Sequence, residues 1–173
     1  MAGKPGERDQ VDAIIEQWGR ERPGMDVTAL AVFGRLHRGY LMYQALLAEV
    51  FERHGIGMAA FDVLATLLRS GPPYRRTAGE LAEISLVSTG GITQRLDRLE
   101  AAGLVVRERD PEDRRVVYAC LTDKGRELTI AVTEDHFANE LRMLSGLTEP
   151  EHKQLAKLLR KLERSLREAE RGS

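Results

Sequence analysis

The chain has 173 residues, 42% of them apolar and 31% charged, with 26 Lys and Arg set against 27 Asp and Glu. That is roughly one domain's worth of chain with enough apolar matter for a core, and the near-neutral balance excludes a uniformly basic coat or an acidic tail. No run approaches the ~18 apolar residues of a membrane span, and MAGKPGERDQ lacks the apolar stretch of a secretory leader. The single cysteine, Cys120, can form neither an internal disulfide nor a multi-cysteine zinc site, so a cytoplasmic chain with no metal or cofactor is expected.

Pro and Gly punctuate the chain at 22–24, 70–73 and 110–111, and between them the apolar spacing is mostly helical. Val11, Ile14, Ile15 and Trp18 paint one face of a short leading helix. A long helix is predicted over 26–54, carrying Leu30, Phe33, Leu36, Tyr40, Tyr43, Leu47 and Val50 and stopped by Gly55. The third helix spans 58–69, with Phe61, Leu64 and Leu68 inward and Asp62 on the polar face. Thr77-Ala78-Gly79-Glu80 is a capping-box signal for a fourth helix with Leu81 and Ile84. After a break at Leu86-Val87, Ser88 is placed to cap a fifth helix through Ala101, ended by Gly103. Two short helices with a tight break between them read as a helix-turn-helix.

The period then changes. Residues 104–109, a turn at 110–113 and residues 115–121 make a β-hairpin. Thr122 caps a helix to about Ser145, and Thr148-Glu149-Pro150-Glu151 opens a last helix striped by Leu155, Leu158, Leu159, Leu162 and Leu166. The fold class is therefore mainly α with a small β-hairpin wing, a winged helix-turn-helix flanked by helices at both ends. Those flanking stripes suggest dimerisation, the alternative being that they pack back on their own chain. Three parts are expected: N-terminal helices for dimerisation and a ligand pocket (1–57), the winged lobe (58–122) and C-terminal dimerisation helices (123–173).

Asp113-Arg114-Arg115 followed by Leu121-Thr122 and Gly125, together with Ile92-Thr93-Gln94-Arg95-Leu96-Asp97-Arg98-Leu99-Glu100 and Gly103-Leu104-Val105, resembles the wing and recognition helix of the MarR family of transcriptional regulators. The resemblance covers roughly residues 26–168. At about 100° per residue Ile92, Leu96 and Leu99 share a core-facing arc, while Gly90, Thr93, Gln94 and Asp97 fall opposite. Gln can pair with adenine and Thr can touch a thymine methyl in the major groove. Ser88, Thr89, Gly90 and Arg98 complete the DNA-facing set on this helix. Arg75 and Arg76 are placed to clamp phosphates, and Arg114 or Arg115, steadied by Asp113, to enter the minor groove. The expected partner is a pseudo-palindromic double-stranded operator read by a homodimer, with half-sites about 34 Å apart. The charge bias is modest: residues 69–126 are slightly basic and the remainder slightly acidic.

Within the family, the chain resembles the urate-responsive branch, whose marks match Trp18, Asp62, Arg95 and Arg107 here. The resemblance implies a repressor released by a small anion such as urate or xanthine. An indole offers such a ring a flat apolar surface and a guanidinium a forked donor. Arg95 lies about 60° from the centre of the apolar arc, pointing to the junction of DNA lobe and dimer helices, or else to a phosphate or a helix-flank salt bridge. A pairing of Asp62 with Arg107 would tie the third helix to the wing, and an anion taking Arg107 would displace Asp62. An aromatic carboxylate is the alternative trigger, and so is protonation of His37, His54, His136 or His152, which otherwise read as surface histidines. Cys120, between Ala119 and Leu121, reads as a packed thiol rather than a peroxide sensor. No phosphate loop, dinucleotide fingerprint, serine elbow or zinc spacing is present, so no enzyme is expected. A helical interaction protein that never touches DNA is the remaining alternative.

Overall fold

The computed structural model describes residues 8–84 and 91–172. Seven helices are described: α1 (Gln10–Glu21), α2 (Leu30–Arg53), α3 (Met58–Arg69), α4 (Ala78–Ile84), α5 (Ile92–Ala101), α6 (Asp123–Met143) and α7 (Glu149–Arg171). The strands β1 (Arg75–Thr77), β2 (Val105–Arg109) and β3 (Val117–Leu121) form one antiparallel sheet in the order β1-β3-β2. The mainly helical winged helix-turn-helix is thus present, and its hairpin has a third strand that the alternation of residues did not reveal. Three residues, two of them arginine, are too few to show a period. β1 is a strand because Arg75, Arg76 and Thr77 lie opposite Cys120, Ala119 and Tyr118.

Local chemistry accounts for the helix ends. Asp9 accepts from the amides of Val11 and Asp12 while Asp12 accepts from Asp9, a capping box that opens α1. Glu80 accepts from the Thr77 amide at 2.7 Å, and Glu151 from the Thr148 amide at 2.6 Å. The Thr122 hydroxyl takes the Gly125 amide at 2.9 Å and starts α6. The long helix begins at Leu30 rather than at Asp26, because the Asp26 carboxylate binds the Thr28 amide and hydroxyl and holds a turn there. α5 is described from Ile92, preceded by Gly91 with φ +87°; the cap expected at Ser88 lies outside the described residues. Gly103, at φ +71°, ends it.

Two apolar clusters hold the chain together. One joins Val63, Leu64 and Leu67 of α3 to Leu81, to Ile92, Leu96 and Leu99 of α5, to Leu104, and to Val105 and Ala119 of the sheet. The second joins Leu47, Phe51, Phe61 and Val132 across α2, α3 and α6, and Ile56 and Leu128 pack against both. α3 is the shared element, in contact with α2, α4, α5, α6 and β3. Encirclement explains a correction: Asp62, expected on a solvated face, is 8% exposed.

The flanking helices behave differently from each other. α1 packs on its own chain's α2: Val11 is buried against Gly34, and Arg35 reaches both Asp9 (2.8 Å) and Asp12 (2.7 Å). α7 has no buried residue, and Leu155, Leu158, Leu159 and Leu166 are exposed. The N-terminal half of α2 likewise exposes Val32, Phe33, Leu36 and Tyr40.

Candidate functional site

α5 carries two chemistries on opposite sides. Ile92, Leu96 and Leu99 are buried, whereas Thr93, Gln94, Asp97 and Arg98 are exposed and Arg95 lies between. Hydrogen-bonding side chains on the outer face of a helix anchored by its apolar face can enter a major groove. Ser88, Thr89 and Gly90, expected to continue that surface, lie outside the described residues.

The wing projects from the same lobe. Asp110 Oδ1 accepts from the amides of Glu112 (2.8 Å) and Asp113 (2.9 Å), which folds the tip. Asp113 in turn holds Arg115, accepting from its amide and Nε through Oδ1 (3.0 and 3.1 Å) and from Nη2 through Oδ2 (3.0 Å). These contacts hold the Asp113 carboxyl below the usual range, the Arg115 guanidinium first. Arg115 nonetheless keeps 91% of its side chain in solvent, so it is aimed but uncovered. Arg114 is exposed beside it. Arg75 sits 4.3 Å from the centre of the Tyr118 ring, a cation–π contact across β1 and β3. Arg76 lies 3.8 Å from Glu80.

The residues expected to bind a ligand occupy different surroundings. Asp62 lines a cavity of about 280 Å³ between α2, α3 and α6, with Tyr43, Phe61, Arg69, His136 and Phe137. Arg95 lines a second, of about 330 Å³, with Arg98, Ile56, Ala60 and Leu104. Trp18 is 45% exposed on α1. Arg107 does not reach for Asp62: its Nη2 donates to Asp97 (2.6 Å) and its Nη1 to Glu100 (2.7 Å). Both acceptors are one helix turn apart on α5, within reach of the wing root, whereas Asp62 is buried in α3. Those bonds, Asp97 first, raise the pKa of Arg107 further.

His136 is also not the surface histidine expected. Its side chain is 12% exposed, its Nε2 faces Glu140 at 3.5 Å, and Phe51, Phe61 and Phe137 surround the ring. Nothing in a lone His on a weakly amphipathic helix signals that burial. His54 pairs with Asp135 at 2.8 Å, and His152 with the Leu144 carbonyl at 3.0 Å. Cys120 is buried, and its thiol is pushed up to about 11, mainly by burial and then by the Glu108 carboxylate that accepts its hydrogen bond. Among the described residues no group of His, Cys, Asp and Glu could hold a metal, and no helix is long and apolar enough to cross a membrane.

Comparison with known proteins places this geometry. The model of the MarR family matches residues 54–116. The chain is 38% identical over 157 residues to the HTH-type transcriptional regulator PecS of Dickeya dadantii, covering 91% of this chain and 95% of that one. The chain belongs to the MarR family. Like its relatives, it is a DNA-binding transcriptional regulator and not an enzyme. A mutant MarR from E. coli complexed with operator DNA is 28% identical, with a TM-score of 0.67 over 80% of this chain and 99% of its own length. BpsR of Bordetella bronchiseptica, whose DNA binding is regulated by 6-hydroxynicotinic acid, shares the fold: TM-score 0.70 at 24% identity, over 81% of this chain and 98% of that one.

Proposed function

We propose that this MarR-family regulator is a cytoplasmic homodimeric repressor whose hold on a pseudo-palindromic operator is loosened by a small organic anion, urate or xanthine being the first choice. The observation that carries the DNA half is the outer face of α5, with Thr93, Gln94 and Arg98 exposed above a buried Ile92, Leu96 and Leu99. Arg75, Arg76, Arg114 and Arg115, with Ser88, Thr89 and Gly90, complete the contact set, and Asp113 aims the wing arginine. The dimer follows from the apolar stripes of α7 and of the first half of α2, which a second copy would cover. In this arrangement residues 1–57 and 123–173 build the dimer and residues 58–122 the DNA lobe.

The ligand half names Trp18, Asp62, Arg95 and Arg107; its support in the structure is Arg95, which lines a cavity, while Asp62 lines another and Arg107 is held by Asp97 and Glu100. Arg95 lines a cavity of about 330 Å³ on the flank of the recognition helix, where a guanidinium suits an anion. Occupation there shifts α5 relative to its twin. A typical coupling of ~1–3 kcal/mol corresponds to a roughly 5–150-fold loss of operator affinity. An operator gel shift with urate, xanthine and hypoxanthine against salicylate-like acids tests the reading. Release by purines alone supports it, and release by the acids alone selects the aromatic carboxylate as trigger. A chain that binds none of its own upstream DNA refutes the regulator itself.

A further inference from the structure

The recognition helix carries an apparent liability. Asp97 is on its outer face, 57% exposed at the side chain, and Glu100 follows one turn later, 40% exposed. A duplex presents a dense row of phosphates, and like charges brought together at an interface cost affinity. Two carboxylates beside the surface that meets DNA therefore need an answer.

Arg107 supplies it from the wing. It is the middle residue of β2, opposite Ala119, on the edge strand of the sheet. One guanidinium spans both acids, with Nη2 to Asp97 Oδ1 at 2.6 Å and Nη1 to Glu100 Oε2 at 2.7 Å. Glu100 also accepts from the Arg107 amide at 3.2 Å, so the same carboxylate occupies a backbone donor on the open edge of the sheet. The planar guanidinium fork holds two acceptors in one fixed geometry, where a lysine ammonium is a compact point charge on a flexible stem.

We propose that Arg107 is a positioning residue for operator binding: it clasps the root of the wing to the recognition helix and masks Asp97 and Glu100 from the phosphates. This rests on the DNA-binding reading of α5 and assigns Arg107 a task in the absence of any ligand. The clasp fixes the distance between wing and helix, the two parts that must reach their grooves together.

The test uses the full chain and a duplex that the wild type enriches from a random-sequence library. Arg107→Met keeps the aliphatic stem and removes the charge, and it weakens binding about tenfold, the equivalent of one ion pair at ~1.4 kcal/mol. Neutralising the acids in that background, with Asp97→Asn and Glu100→Gln, brings affinity back to within about threefold of wild type. Arg107→Lys falls between, and thermal melting confirms that each variant folds.

Wild-type affinity in Arg107→Met overturns the proposal. So does a triple variant as weak as Arg107→Met, because Arg107 then touches DNA itself. Loss of cooperative melting in both Arg107→Met and Arg107→Lys overturns it too, since the clasp then holds the fold rather than placing the helix. A wild type that enriches no duplex brings down the regulator reading and the clasp with it, which separates that failure from the others.

Discussion

Gly125, in the first turn of α6, sits where the DNA lobe joins the long helices. A Cβ at that position would overlap the carbonyl oxygen of Leu104 and lie 2.9 Å from its carbonyl carbon and 3.2 Å from its Cα, all backbone atoms that cannot swing aside. The same peptide accepts the Thr122 amide at 3.2 Å, and the neighbouring Gly103 carbonyl accepts the Thr122 hydroxyl at 2.8 Å. Gly125→Ala must therefore push α6 off the entry to β2. Overpacking of a rigid contact costs ~1–3 kcal/mol, and each hydrogen bond lost with it about 1 kcal/mol. The sum is about 3–5 kcal/mol, or a fall in Tm of roughly 6–20 °C at ~2–4 °C per kcal/mol for a chain of this size. Thermal and urea unfolding followed by circular dichroism measure it. Gly19→Ala is the control: its Cβ meets nothing within 4 Å in α1, and alanine there stabilises by about 0.5–1 kcal/mol. A Gly125→Ala protein melting within about 2 °C of wild type, less than about 1 kcal/mol at that scale, would refute the reasoning.

Gln94→Ala is expected to relax base preference at one operator position with a cost of ~1–3 kcal/mol, whereas Arg98→Ala weakens all sequences alike and lowers the salt slope by about 0.9; binding selections at two salt concentrations separate them. Asp62→Asn is expected to retain operator binding in a gel shift but to blunt release by purines, and a fully responsive variant removes Asp62 from the sensing step. With the thiol pushed up to about 11, Cys120 is almost wholly protonated at about pH 8, so iodoacetamide labelling of the folded chain is expected to be slow and peroxide to leave operator binding unchanged. Asp110, Asp113 and Glu80 all have lowered pKa values, owing respectively to the Asp113 amide, the Arg115 guanidinium and the Thr77 amide. Groups so shifted stabilise the fold above the ordinary carboxylate range and lose that contribution as pH falls through the lowered values; melting scans from pH 7 to 3 are expected to show Tm falling below about pH 4.

Where structure is set by neighbours along the chain, it was legible. The boxes Thr77–Glu80 and Thr148–Glu151 and the Thr122 cap depend on side chains three residues apart, and each opens the helix it predicts. The bracing of Arg115 by Asp113 is a contact of the same short range. The apolar arc of α5 also showed, because one dry face and one wet face leave a clear period. What escaped detection depends on distant partners. Asp62 falls on a polar face only if α3 has one inward face, whereas neighbours surround that helix. The partners of Arg107 are seven and ten residues away and lie on a different element. β1 is defined only by β3, more than forty residues on.

That last pairing has a mechanical consequence. The returning strand of the wing is bonded on one side to the outgoing strand and on the other to the segment that leads directly into α4. The sheet is thus a lever with its fulcrum at the foot of the helix-turn-helix. On the proposed DNA contact, a wing that tilts to follow a narrower or wider minor groove would pull on the start of α4, so the local width of the duplex would be felt inside the protein.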